Sequence, residues 1–203
     1  MFILGLTGGI ACGKSAVSFE LQKLGATNLD IDEVTFELLL PYGELFGIYV
    51  QHFGGYVVGE DGFLNKRIIG EIIFNHPDER AWINSVAHPV LLNRVRDFLE
   101  QCQAAGHEFV VVEVPLLFEV GWEFLFDETW AVTVKPNQQI WRLMRRDKIS
   151  QQQAIARVNS QMPIAEICRR ADVVISNRKG RSDIRQQVLA ALKGRYLGGE
   201  PFD

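Results

Sequence analysis

The chain has 203 residues, 47% of them hydrophobic and 23% charged, an ordinary globular composition with room for one core that carries insertions. No apolar run is long enough to span a bilayer, the first residues lack the basic start and long apolar stretch of a signal peptide, and no tract is repetitive, so the pattern points away from membrane, exported and fibrous proteins. The net charge of −4 hides an asymmetry: residues 1–141 carry 8 basic against 19 acidic side chains, whereas residues 142–195 carry 13 against 4. A basic segment in an acidic protein points to a polyanionic ligand, the plain alternative being a solvated helix face. No helix-turn-helix, zinc or base-stacking motif points to nucleic acid. Cys12, Cys102 and Cys168 are odd in number and lack metal-ligand spacing, so a reduced, cytoplasmic protein is expected.

In chain order, Phe2 to Thr7 reads as a buried strand running into glycines, and Lys14 to Leu24 as a helix with Val17, Leu21 and Leu24 on one side. A second strand is expected over Thr27 to Ile31. Helical patterns follow at Asp32 to Leu40, Tyr42 to Phe53, Lys66 to Asn75 and from Asp78 onward, with turns at Gly54-Gly55 and Glu60-Asp61-Gly62. His88-Pro89 reads as the start of a long helix reaching Gln103. The apolar runs Phe109 to Val112, Trp130 to Val134 and Asp172 to Ile175 predict buried strands. Helices are expected between and after them at Asn137 to Asp147 and Asp183 to Tyr196. Strands alternating with helices predict an α/β protein, a parallel sheet covered on both faces, interrupted between residues 32 and 108 by a helical insertion over the ligand cleft.

The decisive motif is Gly8-Gly9-Ile10-Ala11-Cys12-Gly13-Lys14-Ser15, a phosphate-binding loop between the first strand and the first helix. Such a loop curls successive backbone N–H groups around a phosphate at the positive end of a helix. Gly8, Gly9 and Gly13 supply the backbone freedom, Ala11, Cys12 and Ala16 complete the cradle, Lys14 reaches the β- and γ-phosphates, and the Ser15 hydroxyl binds Mg²⁺. The expected ligand is therefore ATP with magnesium. Cys12 stands beside Lys14 and a helix start, an environment that lowers a thiol pKa; the plainer reading makes it a small residue where serine would serve.

A GTPase needs Asn-Lys-x-Asp, and the nearest string, Asn65-Lys66-Arg67-Ile68, lacks the aspartate. The strand ending Val112-Glu113-Val114-Pro115 carries one acid rather than the paired acids of a remodelling ATPase, although Glu113 stands where such an acid holds magnesium's water shell. A small-metabolite kinase fits better. Asp32, just past a strand end, is the carboxylate expected to orient an acceptor hydroxyl and take its proton. Asp30 is the second choice, as a ligand of magnesium-bound water or a holder of Lys14, with helix capping the structural alternative for both. Arg142 and Arg146, four apart on one helix face, are expected to clamp the transferred phosphoryl, with Arg145 turned aside. Leu116, Leu117 and Phe118 are read as core residues before pocket residues.

Taken together, Leu6-Thr7-Gly8-Gly9-Ile10, Leu29-Asp30-Ile31-Asp32, Pro41, His52-Phe53-Gly54, Asp61 to Lys66, Ile73-Phe74, His88-Pro89 and Val114 to Glu119 come in an order that resembles the dephospho-coenzyme A kinase family. Arg142-Leu143, Arg146-Asp147, Arg157, Gln161-Met162-Pro163, Ala171 to Ile175 and Asn177 continue the resemblance to about residue 195. It implies a three-layer, P-loop nucleotide-kinase-like fold with a parallel central sheet, a helical acceptor-binding insertion and a basic helical lid. The expected domains are an ATP-binding core of 1–32, 108–136 and 170–203, an acceptor domain of 33–107 and a lid of 137–169. The implied reaction is transfer of the ATP γ-phosphoryl to the ribose 3′-hydroxyl of dephospho-coenzyme A. A kinase of another small hydroxyl acceptor, or a nucleotide-dependent binding module, is the competing expectation. Neither nucleic acid nor membrane is an expected partner, and a monomer is compatible with the pattern. The sequence departs from the family at Ala11-Cys12 and Ala16, where Gly-Ser and Thr are common, at Phe36 and Lys66, where arginine is frequent, and at Ser176, where Asp is common.

Overall fold

A computed structural model describes residues 1–193; the last residues of the core segment 170–203 and the end of the helix expected over 183–196 lie outside the described residues. Five strands form one sheet in the order β2-β3-β1-β4-β5: β1 (Phe2–Gly8), β2 (Thr27–Asp30), β3 (Phe109–Glu113), β4 (Glu128–Thr133) and β5 (Val173–Ser176). β1 pairs in parallel with β3 and β4, and β4 in parallel with β5. A strand flanked on both sides and covered on both faces has no polar side to show, which is why β3 is buried at every position. The ten helices among the described residues are α1 (Lys14–Lys23), α2 (Ile31–Leu38), α3 (Glu44–Phe53), α4 (Lys66–Asn75), α5 (Pro77–Ala104), α6 (Leu117–Val120), α7 (Pro136–Asp147), α8 (Gln151–Asn159), α9 (Ile164–Arg170) and α10 (Arg181–Leu192).

Two compact units divide the chain: Met1–Leu29 with Gln101–Asp203, and Asp30–Glu100. In the first, Leu4, Leu6, Val111, Trp130, Val132 and Ile175 of the sheet pack with Val17 and Leu21 of α1 and with Ile184, Val188 and Leu192 of α10. Each such side chain, fully buried, contributes about 1.5–3 kcal/mol relative to exposure. On the opposite face of β1, Gly5 leaves room for Phe126 and Leu117.

β4 starts two residues earlier than its apolar run, at Glu128 and Thr129. Both are buried yet satisfied: the Trp130 indole N–H donates to Glu128 Oε1 at 2.7 Å, and the Thr129 N–H and hydroxyl donate to Asp172 Oδ2 at 2.8 Å each. Asp172, expected as the first residue of the last strand, therefore serves as an acceptor, and β5 begins at Val173.

In the second unit, the helix boundary expected at His88-Pro89 is absent: α5 runs 28 residues through Pro89. An interior proline removes one hydrogen bond and costs about 3 kcal/mol. The buried stripe Ile83, Ala87, Leu91 and Val95, spaced four apart on both sides of it, offsets that cost. α4 occupies its expected range because Asn65 caps it, accepting from the Arg67 and Ile68 N–H groups at 3.1 and 3.2 Å. His52 stacks on Trp82 with centroids 3.5 Å apart and shares a 2.8 Å bond with Glu79 Oε2, fixing α3 on α5.

Candidate active site

The phosphate loop leaves β1 where side chains have no room. Gly8 has φ +143°, and a Cβ there would run into the Val132 carbonyl; Gly13, with φ +91°, has the Asn177 amide in that place. Gly13 is also the N-cap of α1 and offers no side-chain cap, and no acid lies in the first turn. The Ala16 N–H turns back to the Gly13 carbonyl at 3.1 Å, and no side chain caps the amides before it, so the start of α1 is open to an anion, which the helix dipole favours there.

The carbonyls of the loop are anchored from outside. Gln139 Nε2 donates to the Ile10 carbonyl at 2.9 Å, and Asn177 Nδ2 and Arg142 Nη1 donate to the Cys12 carbonyl at 2.9 and 3.4 Å. Arg142 Nη2 also donates to the Asn177 carbonyl at 3.1 Å. In a trans peptide the C=O and the following N–H point in opposite directions. Holding the Ile10 and Cys12 oxygens therefore aims the Ala11 and Gly13 N–H groups the other way. The Ile10 N–H itself donates to Gln161 Oε1 at 2.8 Å, and Lys14 Nζ lies back on the Gly8 carbonyl at 3.3 Å.

Ala11 adopts φ +59°, a left-handed conformation that costs a non-glycine residue about 1–2 kcal/mol. That accounts for the frequency of glycine at this position in the family it resembles. Of the two readings of Cys12, the structure favours the plainer one, a small buried residue, over the reactive thiol. Its side chain is fully buried in the sheet core, and burial pushes the thiol up to about 11, outweighing the pull of Lys14, the Val134 backbone and Arg142. It packs as a small apolar residue. Ser15 is exposed at the start of α1, Ala16 is half-buried against the core, and Gly9 has no room for a Cβ, which would sit 2.7 Å from Gln139 Nε2.

Arg142 and Arg146 part company. Arg142 touches the loop, whereas Arg146 is exposed and forks onto Asp147 at 2.7 and 3.3 Å. Arg157 Nη1 reaches Asp147 Oδ2 at 2.5 Å, and Arg146 first, then Arg157, hold that carboxyl below its ordinary range. Arg145 stacks on the exposed Trp141 ring at 4.9 Å, turned aside as expected. Glu113 is buried at the end of β3, and Leu117 and Phe118 are core residues, while Leu116 is 39% exposed.

In the second unit, Asp30 takes the capping role weighed for both carboxylates: its Oδ1 accepts the Asp32 N–H at 2.8 Å and starts α2. Asp32 is exposed in the first turn of α2 and lines a cavity of about 330 Å³ with Thr35, Phe36, Tyr49, Phe63, Lys66 and Ile69. A second cleft, about 710 Å³, extends from Phe36 and Lys66 past Asp61 and Arg67. Two departures from the family pattern meet at the boundary of these spaces, where Lys66 Nζ sits 4.9 Å over the Phe36 ring.

Sequence reasoning missed the work of Gln139, Asn177 and Gln161. Their loop contacts span 129, 165 and 151 residues, a range over which no local pattern operates. One signal was present for Gln139: it is a polar residue on the buried side of α7, one turn from Leu143.

A phosphate loop between the central strand and first helix of a parallel five-stranded sheet defines the class: a P-loop kinase fold. The dephospho-CoA kinase family model matches residues 2–183. A dephospho-CoA kinase from Symbiobacterium thermophilum is 40% identical over 203 residues, covering 99% of this chain and 85% of its own. Among solved structures, TT1252 from Thermus thermophilus aligns with a TM-score of 0.83 at 28% identity, covering 97% of this chain and 98% of its own. The dephospho-CoA kinase from Campylobacter jejuni gives 0.68 at 26%, covering 94% and 95%. The chain belongs to the dephospho-CoA kinase family. The family's reaction is the ATP-dependent phosphorylation of dephospho-coenzyme A, the last step of coenzyme A biosynthesis.

Proposed function

We propose that this chain transfers the γ-phosphoryl of ATP to the ribose 3′-hydroxyl of dephospho-coenzyme A, with the loop of the first unit holding the donor. The observation that carries the reading is the anchored loop, whose carbonyls are tied to Gln139, Asn177 and Arg142 while the first turn of α1 stays uncapped. Phosphoryl transfer passes through a loose transition state with charge on the equatorial oxygens, so positioning and cations supply most of the catalysis. Lys14 leaves the Gly8 carbonyl for the β- and γ-phosphates. Arg142 presents its charge at the loop. Arg146 exchanges Asp147 for the phosphoryl group, adding a second cation.

Asp32 orients the acceptor hydroxyl and takes its proton. Its place on the wall of an apolar-lined cavity with Lys66 supports an acceptor that combines charged and apolar parts. The Ser15 hydroxyl would hold magnesium, which would supply positive charge against that of the phosphates. The chemistry of the chain fits such an ion: the Ser15 hydroxyl is an exposed hard oxygen donor at the uncapped start of α1. An ion that keeps phosphate oxygens and waters as most of its ligands needs little more from the protein, and Asp30, with one oxygen used in capping, can meet its water shell. All three cysteines are free thiols, which supports residence in the reducing cytoplasm. No helix among the described residues is long and apolar enough to cross a membrane.

The test is incubation with Mg-ATP and a panel of acceptors, namely dephospho-coenzyme A, nucleoside monophosphates and small hydroxy acids, following ADP. Turnover with dephospho-coenzyme A alone is expected. ADP release indifferent to that acceptor refutes the proposal.

A further inference from the structure

We infer that Gln161, acting with Gln139, is a positioning residue that sets the crest of the phosphate loop and ties its state to the α8–α9 segment; this rests on the loop binding ATP. The Ile10 residue is gripped on both sides: its N–H by Gln161 Oε1 at 2.8 Å and its carbonyl by Gln139 Nε2 at 2.9 Å. These two bonds fix two consecutive peptide planes, 9–10 and 10–11, and the residue that follows, Ala11, is the one forced to φ +59°. The conformation is disfavoured for alanine, so something outside must over-determine it. Gln139 is nearly buried and itself hemmed in, its Nε2 occupying the space a Cβ on Gly9 would need.

Gln161 comes from a turn that is fixed at a second point. The next residue, Met162, donates its N–H to Glu119 Oε1 at 3.0 Å, so one short turn after α8 holds both the loop after β1 and the segment after β3. Movement of α8 against this turn pulls directly on the Ile10 amide. Conversely, a phosphate drawing the loop inward loads the same bond. Gln161 is thus the mechanical link between the phosphate loop and the helices that carry Arg157 and, through Asp147, meet Arg146.

The experiment compares wild type with Gln161→Met, which keeps length and packing but has no accepting oxygen, with Ala11→Gly, and with the double variant. ATP binding is measured by calorimetry without acceptor, alongside melting temperature and steady-state rates with dephospho-coenzyme A. Loss of one such hydrogen bond is expected to weaken ATP binding about three- to tenfold in Gln161→Met. Its melting temperature should stay within about 2 °C, because Gln161 is only half-buried. Glycine at position 11 removes the strain the bond sustains, so the double variant should recover most of the lost affinity. Unchanged ATP affinity in Gln161→Met overturns the inference. So does a loss that follows a fall in melting temperature and is not rescued by glycine, since that is the signature of a structural role only. Wild type that fails to bind ATP at all would instead sink the donor-site reading on which the inference rests.

Discussion

The two units hold their polar groups in different ways. In the unit of Met1–Leu29 and Gln101–Asp203, the loop is fixed by side chains 129 to 165 residues away in the chain. In the unit of Asp30–Glu100, many of the bonds are short-range: Asp30 to the Asp32 N–H, Asn65 to the Arg67 and Ile68 N–H groups, Arg67 to Glu71. A loop held by distant partners is set only when the whole unit has folded, and then it is set without a ligand. In the second unit the capped helices α2 and α4 line a cavity whose wall includes the half-exposed Phe36. Under the proposed function, the donor half is the one set before its ligand arrives.

This contrast can be broken from either side. The largest effect is expected from Asp32→Asn, which should lower kcat by about 10²–10⁴ while ATP affinity measured without acceptor stays at the wild-type value. A parallel loss of ATP binding would place Asp32 in the donor half. Arg142→Ala should cost about 10²–10³ in kcat, more than it raises KM for the acceptor, because it removes a cation at the loop and a donor to the Cys12 carbonyl. An unchanged turnover number would remove Arg142 from the mechanism.

Cys12 gives a pH test of how closed the donor half is. Its pKa of about 11 lies above the ordinary 9.0, so the fold favours the neutral thiol. That contribution is intact below pH 9 and is lost as pH rises from there through 11. At pH 9, alkylation of Cys12 followed by mass spectrometry should be at least roughly fiftyfold slower in the native protein than in the unfolded chain. Equal rates would show that the loop opens freely.

Smaller effects sharpen the contrast. Lys66→Met removes the cation from the Phe36 ring, an interaction worth about 0.5–1 kcal/mol at an exposed site, and should raise KM for dephospho-coenzyme A a few-fold without changing KM for ATP. Ala11→Gly relieves the left-handed strain, partly offset by the greater freedom of glycine in the unfolded chain. It should stabilise the protein by about 0.5–1 kcal/mol in urea unfolding. Destabilisation would mean that the alanine methyl contributes packing that outweighs its strain.

What was legible in the sequence was local. The loop from Gly8 to Ser15, the strand before it and the helix after it are encoded in one short stretch, and α4 is marked by its own cap at Asn65. The two turns at 54–55 and 60–62 were visible for the same reason. What was not legible depends on groups that meet only in three dimensions. Pro89 reads as a helix boundary until the buried stripe that runs through it is seen. Glu128 and Thr129 look too polar for a central strand until Asp172 and the Trp130 indole are in place. The sequence leaves two readings of Cys12 open until its burial is known, and it does not show that Asp147 holds Arg146 while Arg142 reaches the loop.

The most direct measurement is the ratio of coenzyme A formed to ADP formed when the protein is supplied with Mg-ATP and dephospho-coenzyme A, with the new phosphomonoester located by ³¹P NMR. Equal amounts of the two products are expected, with phosphate on the ribose 3′-oxygen and negligible ADP when the acceptor is withheld. ADP released at the same rate with and without the acceptor, or phosphate found as the free inorganic ion, would contradict it.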